Sequence, residues 1–569
     1  MSDQPLSIGN CSGFYGDRFS AVQEMLEDGP LDVLTGDYLA ELTMLILGRD
    51  LMKDPSRGYA RTFLRQMRDN LATAVDRGVK VVVNAGGLNP SGLAEALRGV
   101  ADEVGVDAAI AYVTGDDLRD RAEELGLGQG VLTANAYLGG WGVAACLDAG
   151  ADVVVTGRIT DAAVVVGPAA AHFGWARDDW DRLAGAVVAG HVIECGAQAT
   201  GGNYSFFTEH DVTYPGFPIA ELHADGSSVI TKHQGTGGVV DVGTVTAQLL
   251  YEVGPARYAN PDVTARFDTI ELGDDGRDRV RISGVHGEPP PPELKVATTT
   301  LGGFRNEMTF VLTGLDIEAK AALVRRQFER AVGEDAPRQV VWTLARTDQP
   351  DAPTEQQASA LLRVQAKDAD QGRVGRRFSA TLIELALASY PGFTGTAPPG
   401  DASPFGIYRP AYVPRPEVAH FAVLPDGSRI EVGNDVPSTQ PLGDVPVPAL
   451  PDQPAQGHTA RAPLGRVFGA RSGDKGGSAN VGVWARDDAG YAWLAHHLTD
   501  DAVRALLPEA ADLPVTRHLL PNLRAVNVVI EGILDEGVAS ATRFDPQAKG
   551  LAEWLRSREV DLPVELLGG

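Results

Sequence analysis

The sequence predicts an α/β protein: a doubly wound, mostly parallel sheet with an α+β second lobe and a small C-terminal α+β domain of the ferredoxin-like kind. Three observations predict it. Short β-branched runs alternate with amphipathic helical patterns over residues 1–200. The alternation loosens over 201–435, where extended and helical stretches mix. Seven prolines then fall within 436–463, and strand and helix patterns resume over 464–569.

In chain order, the strands of the first part are "LSIG" (6–9), "LDVLT" (31–35), "VKVVVN" (79–84), "DAAIAYVT" (107–114) and "ADVVVT" (151–156). Such continuous apolar runs suit strands buried on both faces. Between most of them lie helical patterns: "RFSAVQEMLED", "YLAELTMLILG", "TFLRQMRDNLATAVDRG", "GLAEALRGVADEVG" and "WGVAACLDAG". Together they give a parallel sheet covered on both sides. In the second part "SSVITKHQG" and "NEMTFVLTG" read as extended, and "DIEAKAALVRRQFERAV" and "RRFSATLIELALASY" as helices. "EVAHFAVLPDGSRIEV" reads as a hairpin turning on Pro-Asp-Gly. Residues 1–435 thus form one α/β domain, with its parallel layer over 1–200 and its α+β lobe over 201–435. The Pro-rich 436–463 is a semi-rigid extended linker. Over 464–569 the strand "GSANVGVWARD", the helix "DDAVRALLPE", the strands "VTRHLLP" and "AVNVVIEGIL" and the helix "PQAKGLAEWLRSR" make the last domain.

Lys and Arg number 49 against 76 Asp and Glu, a formal net charge of −27. Such a surface repels phosphate backbones and anionic lipid, which argues against nucleic-acid or membrane-surface binding as the main task. An anionic ligand would need a local cationic pocket. Cys11, Cys146 and Cys195 are too few and too scattered for a disulfide framework or a thiolate metal site. No signal-peptide pattern opens the chain, and no run approaches the ~20 apolar residues of a membrane helix. A soluble, cytoplasmic protein without membrane insertion is expected, as a homo-oligomer.

In an open α/β sheet, ligands bind beyond the carboxyl ends of the strands. Past the successive strands stand Asn10, Ser12 and Gly13, then Asp37, then Asn84, Gly86 and Gly87, then Gly115 and Asp116, then Gly157, Arg158 and Asp161. Polar exits converging on one edge point to a binding crevice. The loop carrying Gly9, Gly13 and Gly16 runs into a helix and could offer amides to a phosphate or carboxylate. Its spacing matches neither Walker A nor G-x-G-x-x-G, so no nucleotide cofactor is assigned. Arg158 either grips the ligand's anion or pairs with Asp161, which could instead cap the next helix.

In "GHVIECGAQATGGN", His191 and Glu194 lie three apart and share a helix face, with Asn203 in the loop beyond. Glu194 is a candidate base. The second histidine of H-E-x-x-H is missing, and no metal ligand set is assigned. In "KHQGTGG", Lys232 and His233 precede Thr236, Gly237 and Gly238 at a turn read as opening a helix, a favourable place for an anion. His233 is a second candidate base. "GARSGDKGGSAN" gathers Arg471, Ser472, Asp474, Lys475 and Asn480 around glycines, as an anion nest or a docking loop between domains. His496 and His497, on a strand, would face opposite ways.

"IGNCSGFYGDRFSAVQEML", "LDVLTGDYLAELTMLIL", "VVNAGGLNP", "VVTGRITDAA", "KHQGTGG" and "GARSGDKGGSANVGVW" resemble the acyclic terpene utilization AtuA family over nearly the whole chain, including its ferredoxin-like tail. The resemblance implies a place in citronellol and geraniol breakdown, where acyl chains are handled as coenzyme A thioesters, near cleavage of 3-hydroxy-3-isohexenylglutaryl-CoA. It leads to an enzyme acting on a branched acyl-CoA or carboxylated intermediate by lyase or hydration chemistry, with coenzyme A entering as part of the substrate. His233 or Glu194 would be the base and Arg158 the anion grip. The rival readings are a non-catalytic ligand-binding subunit or scaffold, and a small-molecule hydrolase using Cys195 or a serine; no G-x-S-x-G elbow supports the latter.

Overall fold

The computed structural model describes residues 4–454 and 457–568. Six strands open the chain: β1 (Leu6–Asn10), β2 (Val33–Gly36), β3 (Lys80–Val83), β4 (Ile110–Thr114), β5 (Val131–Ala136) and β6 (Val153–Thr156). All but β5 lie side by side in the order β1-β2-β3-β6-β4, and every neighbouring pair is parallel. Register sets Ile8 beside Val33, Leu34 beside Val81, and Val82 and Ala111 on either side of Val154. The valine runs are explained by burial on both faces. Val81, Val83, Val153 and Val155 enter one core with Leu26, Phe63 and Leu97. Val82 and Val154 enter the opposite core with Val143, Val165 and Val187.

The helices divide accordingly. On one face lie α1 (Ala21–Glu27), α3 (Arg61–Asp76) and α4 (Pro90–Val104). The other is covered by α5 (Trp141–Asp148), α6 (Ala163–Phe173) and α7 (Trp180–Ile193), while α2 (Glu41–Lys53) lies against β5. α7 is apolar all round and buried without a break from Leu183 to its end, as befits a helix enclosed by its own domain.

Antiparallel strands widen the parallel centre to eleven strands. Beside β1 come β7 (Pro218–Leu222), β8 (Ser228–Lys232), Val280–Ser283 and Glu271–Asp274. Beside β4 comes the hairpin Phe421–Val423 and Arg429–Glu431. The sheet is therefore parallel at its centre and mixed overall.

Residues 300–407 with 539–544 form a second compact unit, narrower than the lobe read over 201–435. Its antiparallel strands Gln339–Ala345, Ser359–Asp368 and the end of Glu293–Thr313 pack against the helices Ile317–Val332 and Arg376–Glu384 around Phe310, Phe328 and Phe378.

The C-terminal domain is a four-stranded antiparallel sheet ordered Gly469–Lys475, Ser478–Trp484, Ala525–Ile530, Val515–Leu520, with a core of its own. His496 and His497 end the helix Asp488–His497, not a strand: Asp487 caps its first turn by accepting from Gly490 N. This domain shares one compact unit with the large sheet. Two fully buried asparagines join them. Asn480 Nδ2 donates to the Leu250 carbonyl (2.6 Å), and its Oδ1 accepts from Glu252 N (2.9 Å). Asn527 Nδ2 donates to the carbonyls of Val253 and Gly254, both at 2.8 Å. The Pro-rich segment has no regular structure before Thr459 among the described residues, and it is pinned: Arg257 donates to the Gly443 and Asp444 carbonyls, and His496 Nε2 lies 2.8 Å from that of Pro451.

Candidate functional site

The polar exits of the parallel strands meet at the carboxyl edge. Asp37, just past β2, is 5 % exposed; its Oδ1 accepts from Asn84 Nδ2 (2.5 Å) and Leu39 N (3.2 Å). Asn84, just past β3, accepts from Tyr38 N through its own Oδ1 (2.7 Å), so it holds both the Asp37 side chain and the backbone that follows it. Asn10, ending β1, donates through Nδ2 to the carbonyls of Ile193 and Glu194 (2.8 Å each) and Ser12 (3.0 Å). One buried amide thus ties the sheet edge to the end of α7.

Two close approaches bring α7 there. A Cβ on Gly190 would come within 2.9 Å of Ala162 Cα, and one on Gly13 within 2.6 Å of the Cys195 carbonyl carbon. Both glycines let backbone meet backbone, and Glu194 arrives beside Asp37 and Asp161. One oxygen from each of these three carboxylates lies within 4.8 Å of the other two.

Arg158, 3 % exposed, answers one of them: its Nη1 donates to Asp161 Oδ1 at 2.7 Å. Asp161 makes no cap to α6. The guanidinium carbon stands 4.3 Å over the Tyr137 ring, and Lys295 Nζ lies 4.8 Å from the same ring. Arg158 N donates to Asp116 Oδ2 (2.8 Å), which also accepts from Asn135 Nδ2 (2.8 Å).

The opposite wall comes from residues 251–258 and the C-terminal hairpin. Lys475 donates to the Glu252 carbonyl (3.0 Å). Lys549 Nζ lies 3.3 Å from Glu252 and 3.7 Å from Asp474, and donates to the Tyr251 hydroxyl. Arg471 sits 4.8 Å over the Tyr251 ring and donates to the Asn203 carbonyl (3.0 Å). Through Lys475 the C-terminal domain brings a cation close enough to act on Glu194 and Asp161.

Burial and like charge shape the ionisations. Burial first, then Asp161, push the Asp37 and Glu194 carboxyls well above the usual range, against the pull of Arg158. Burial and Glu252 raise Asp474 to about 7. Lys475 is exposed at its surface, yet the protein mass around its amine and the charge of Lys295 bring its ammonium down to about 8. Burial works against ionised Glu41, but Lys295 and Arg158 hold its carboxyl below the ordinary value. Burial lowers His191 to about 4, leaving a neutral imidazole at pH 7. Burial and Glu194 drive the Cys195 thiol up, the opposite of what a nucleophilic thiolate needs.

The remaining residues singled out in the sequence lie elsewhere or serve the backbone. The Gly13 amide is taken by Asp17 Oδ2 (2.9 Å), and Ser12 Oγ donates to the Phe14 carbonyl (2.9 Å). Gly86 packs on the Thr156 carbonyl, and Gly87 takes a left-handed turn. His233 Nε2 lies 3.1 Å from the Met25 carbonyl, with its ring against Gly29, so it packs on the end of α1. Lys232 is held within its own loop, donating to the Thr236 carbonyl (2.7 Å) and lying 3.4 Å from Asp278. Thr236 donates back to the His233 carbonyl (2.7 Å). Gly237 and Gly238 crowd the Tyr214 and Thr200 carbonyls. The helix read as opening at this turn begins only at Val242, where Asp241 makes a capping box. A carboxylate already occupies that N-terminus, which makes it a poor anion site.

The model of the acyclic terpene utilisation family protein AtuA matches residues 6–424, and that of the AtuA ferredoxin-like domain matches 462–561. The chain belongs to the AtuA family. Membership ties it to acyclic terpene utilisation. No curated protein matches this AtuA-family chain. No helix among its described residues is long and apolar enough to cross a membrane. The sequence motifs missed Lys295, Tyr137, Glu41, Glu252 and Lys549. Of these, Lys295 gave the one usable signal, a cation set between the buried Leu294 and Val296 in the strand Glu293–Thr313.

Proposed function

We propose that this AtuA-family chain is an enzyme of acyclic terpenoid or branched-chain acid catabolism, acting on a branched acyl-CoA or carboxylated intermediate by lyase or hydration chemistry. One observation carries the reading. In a chain of net charge −27, Arg158, Lys295 and Lys475 gather at the carboxyl edge of the parallel sheet, close enough for their charges to act on one another and on Glu41 and Asp161. An anionic substrate finds its counter-charge there.

Both reaction types pass through an enolate. In dehydration, a base removes the proton next to the thioester carbonyl, the electron pair settles on the carbonyl oxygen, and the enolate then expels the 3-hydroxyl, which leaves as water on protonation; hydration runs these steps backwards. In cleavage, the base takes the proton of a 3-hydroxyl, and the breaking C–C bond delivers its electrons to the same oxygen. Arg158 and Lys295 stay charged and suit that oxygen or a substrate carboxylate. Lys475, with its ammonium near 8, has a neutral amine available close to neutral pH and suits the proton transfer. It takes the role that the sequence alone offered to His233 or Glu194.

The test begins with a thermal-shift screen of branched acyl-CoAs, free CoA and dicarboxylates, since a ligand of the native state raises the midpoint. Lys475→Arg then keeps the charge but removes the base. Retained affinity with turnover lowered by roughly 100-fold or more is expected. The reading fails if none of these compounds shifts the midpoint, or if Lys475→Arg turns over like the parent.

A further inference from the structure

The carboxylates of Asp37, Asp161 and Glu194 carry an inference independent of the lyase reading. Three points no more than 4.8 Å apart share a centre within about 2.8 Å (4.8/√3) of each. Oxygen ligands hold Ca²⁺ at ~2.3–2.6 Å and Mg²⁺ at ~2.0–2.1 Å, so small side-chain shifts close the set on one ion.

An acidic cluster alone would not suffice, but one of its carboxylates is deeply buried with an unpartnered oxygen. Glu194, 6 % exposed, leaves Oε2 with no hydrogen-bond partner. Beside it, the buried His191 holds its Nδ1 3.3 Å from Glu194 Oε1. Polar atoms so deeply buried are costly unless something satisfies them.

The surrounding bonds repeat one pattern. Asp37 is engaged through Oδ1 by Asn84 and Leu39 N, and Asp161 through Oδ1 by Arg158. In each, these bonds occupy one oxygen and leave the other available, as outer-shell partners do when they aim carboxylates at a metal.

We propose that Asp37, Asp161 and Glu194 bind one hard divalent cation of the Mg²⁺ or Mn²⁺ class. All three donors are oxygens, the set such cations favour over softer metals. Three protein ligands leave positions for water or for an oxygen of the bound substrate.

Mn²⁺ is the probe. The full-length protein is stripped with EDTA, desalted and titrated with Mn²⁺, and free Mn²⁺ is followed by electron paramagnetic resonance. One saturable site per chain, competed by Mg²⁺, is expected. Glu194→Gln and Asp161→Asn should each weaken it by on the order of tenfold or more, with an unchanged circular dichroism spectrum. Asp161 is only partly buried, 29 % exposed at its side chain, so its variant guards against a folding defect at Glu194. Only weak, unsaturable binding to the acidic surface, or a site untouched by both substitutions, would overturn the proposal. No substrate or turnover enters the measurement, so it can fail while the lyase reading stands, and the reverse.

Discussion

Asp116→Asn should stabilise this protein at pH 8 and lose that advantage in acid. Asp116 lies 2 % exposed under the turn that carries Arg158, accepting from Arg158 N and Asn135 Nδ2 through Oδ2. Burial pushes its carboxyl from 3.8 up to about 7. Its pKa in the folded protein thus exceeds that of the unfolded chain, so ionising it costs native stability. The cost is absent below about pH 4, grows with rising pH, and is complete above about pH 7. Three pKa units at ~1.36 kcal/mol each set its full size at about 4 kcal/mol, of which roughly 2 kcal/mol develops between pH 5 and 7. Asparagine removes the charge and keeps an oxygen for both donors. Urea unfolding of the two proteins from pH 5 to 8, followed on the transition of the large sheet, measures the gap directly. The variant should gain on the parent as pH rises. A gap that stays constant across the range would contradict this, because Asp116 would then be ionised in the native state over the whole window.

Two further outcomes are expected. Asn527→Ala strips hydrogen bonds from the Val253 and Gly254 carbonyls and from Asn480, all buried, and should cost about 3 kcal/mol in chemical denaturation. His233→Ala should lower stability by about 1 kcal/mol, the scale of its contact with the Met25 carbonyl, while calorimetry finds ligand affinity unchanged; a collapse of turnover in the folded variant would bring the 232–238 loop back into the chemistry.

The centre of the sheet was legible in the residues alone. Runs such as Val81–Val83 and Val153–Val155 feed two cores at once, and only a strand covered on both faces needs apolar residues at every position. Equally legible was that Asn10, Asp37, Asn84 and Arg158 share an edge, because parallel strands of one sheet all end on the same side. Which of them meet, and with what, was settled only by packing. Glu194 reaches Asp37 and Asp161 through the packing of α7 on Ala162 and on the loop of Gly13, contacts between backbones far apart in the chain. Lys475 and Lys549 arrive with the C-terminal domain, whose docking on Leu250–Gly254 leaves no local pattern beyond two asparagines inside strands. His233 is the converse case. Its surroundings in the sequence look like a site, but the direction of its ring was set by the space beside Gly29. Periodicity records which face of an element is buried, because burial acts residue by residue. The distance between two carboxylates is fixed by how whole elements pack, and no short stretch of sequence carries it.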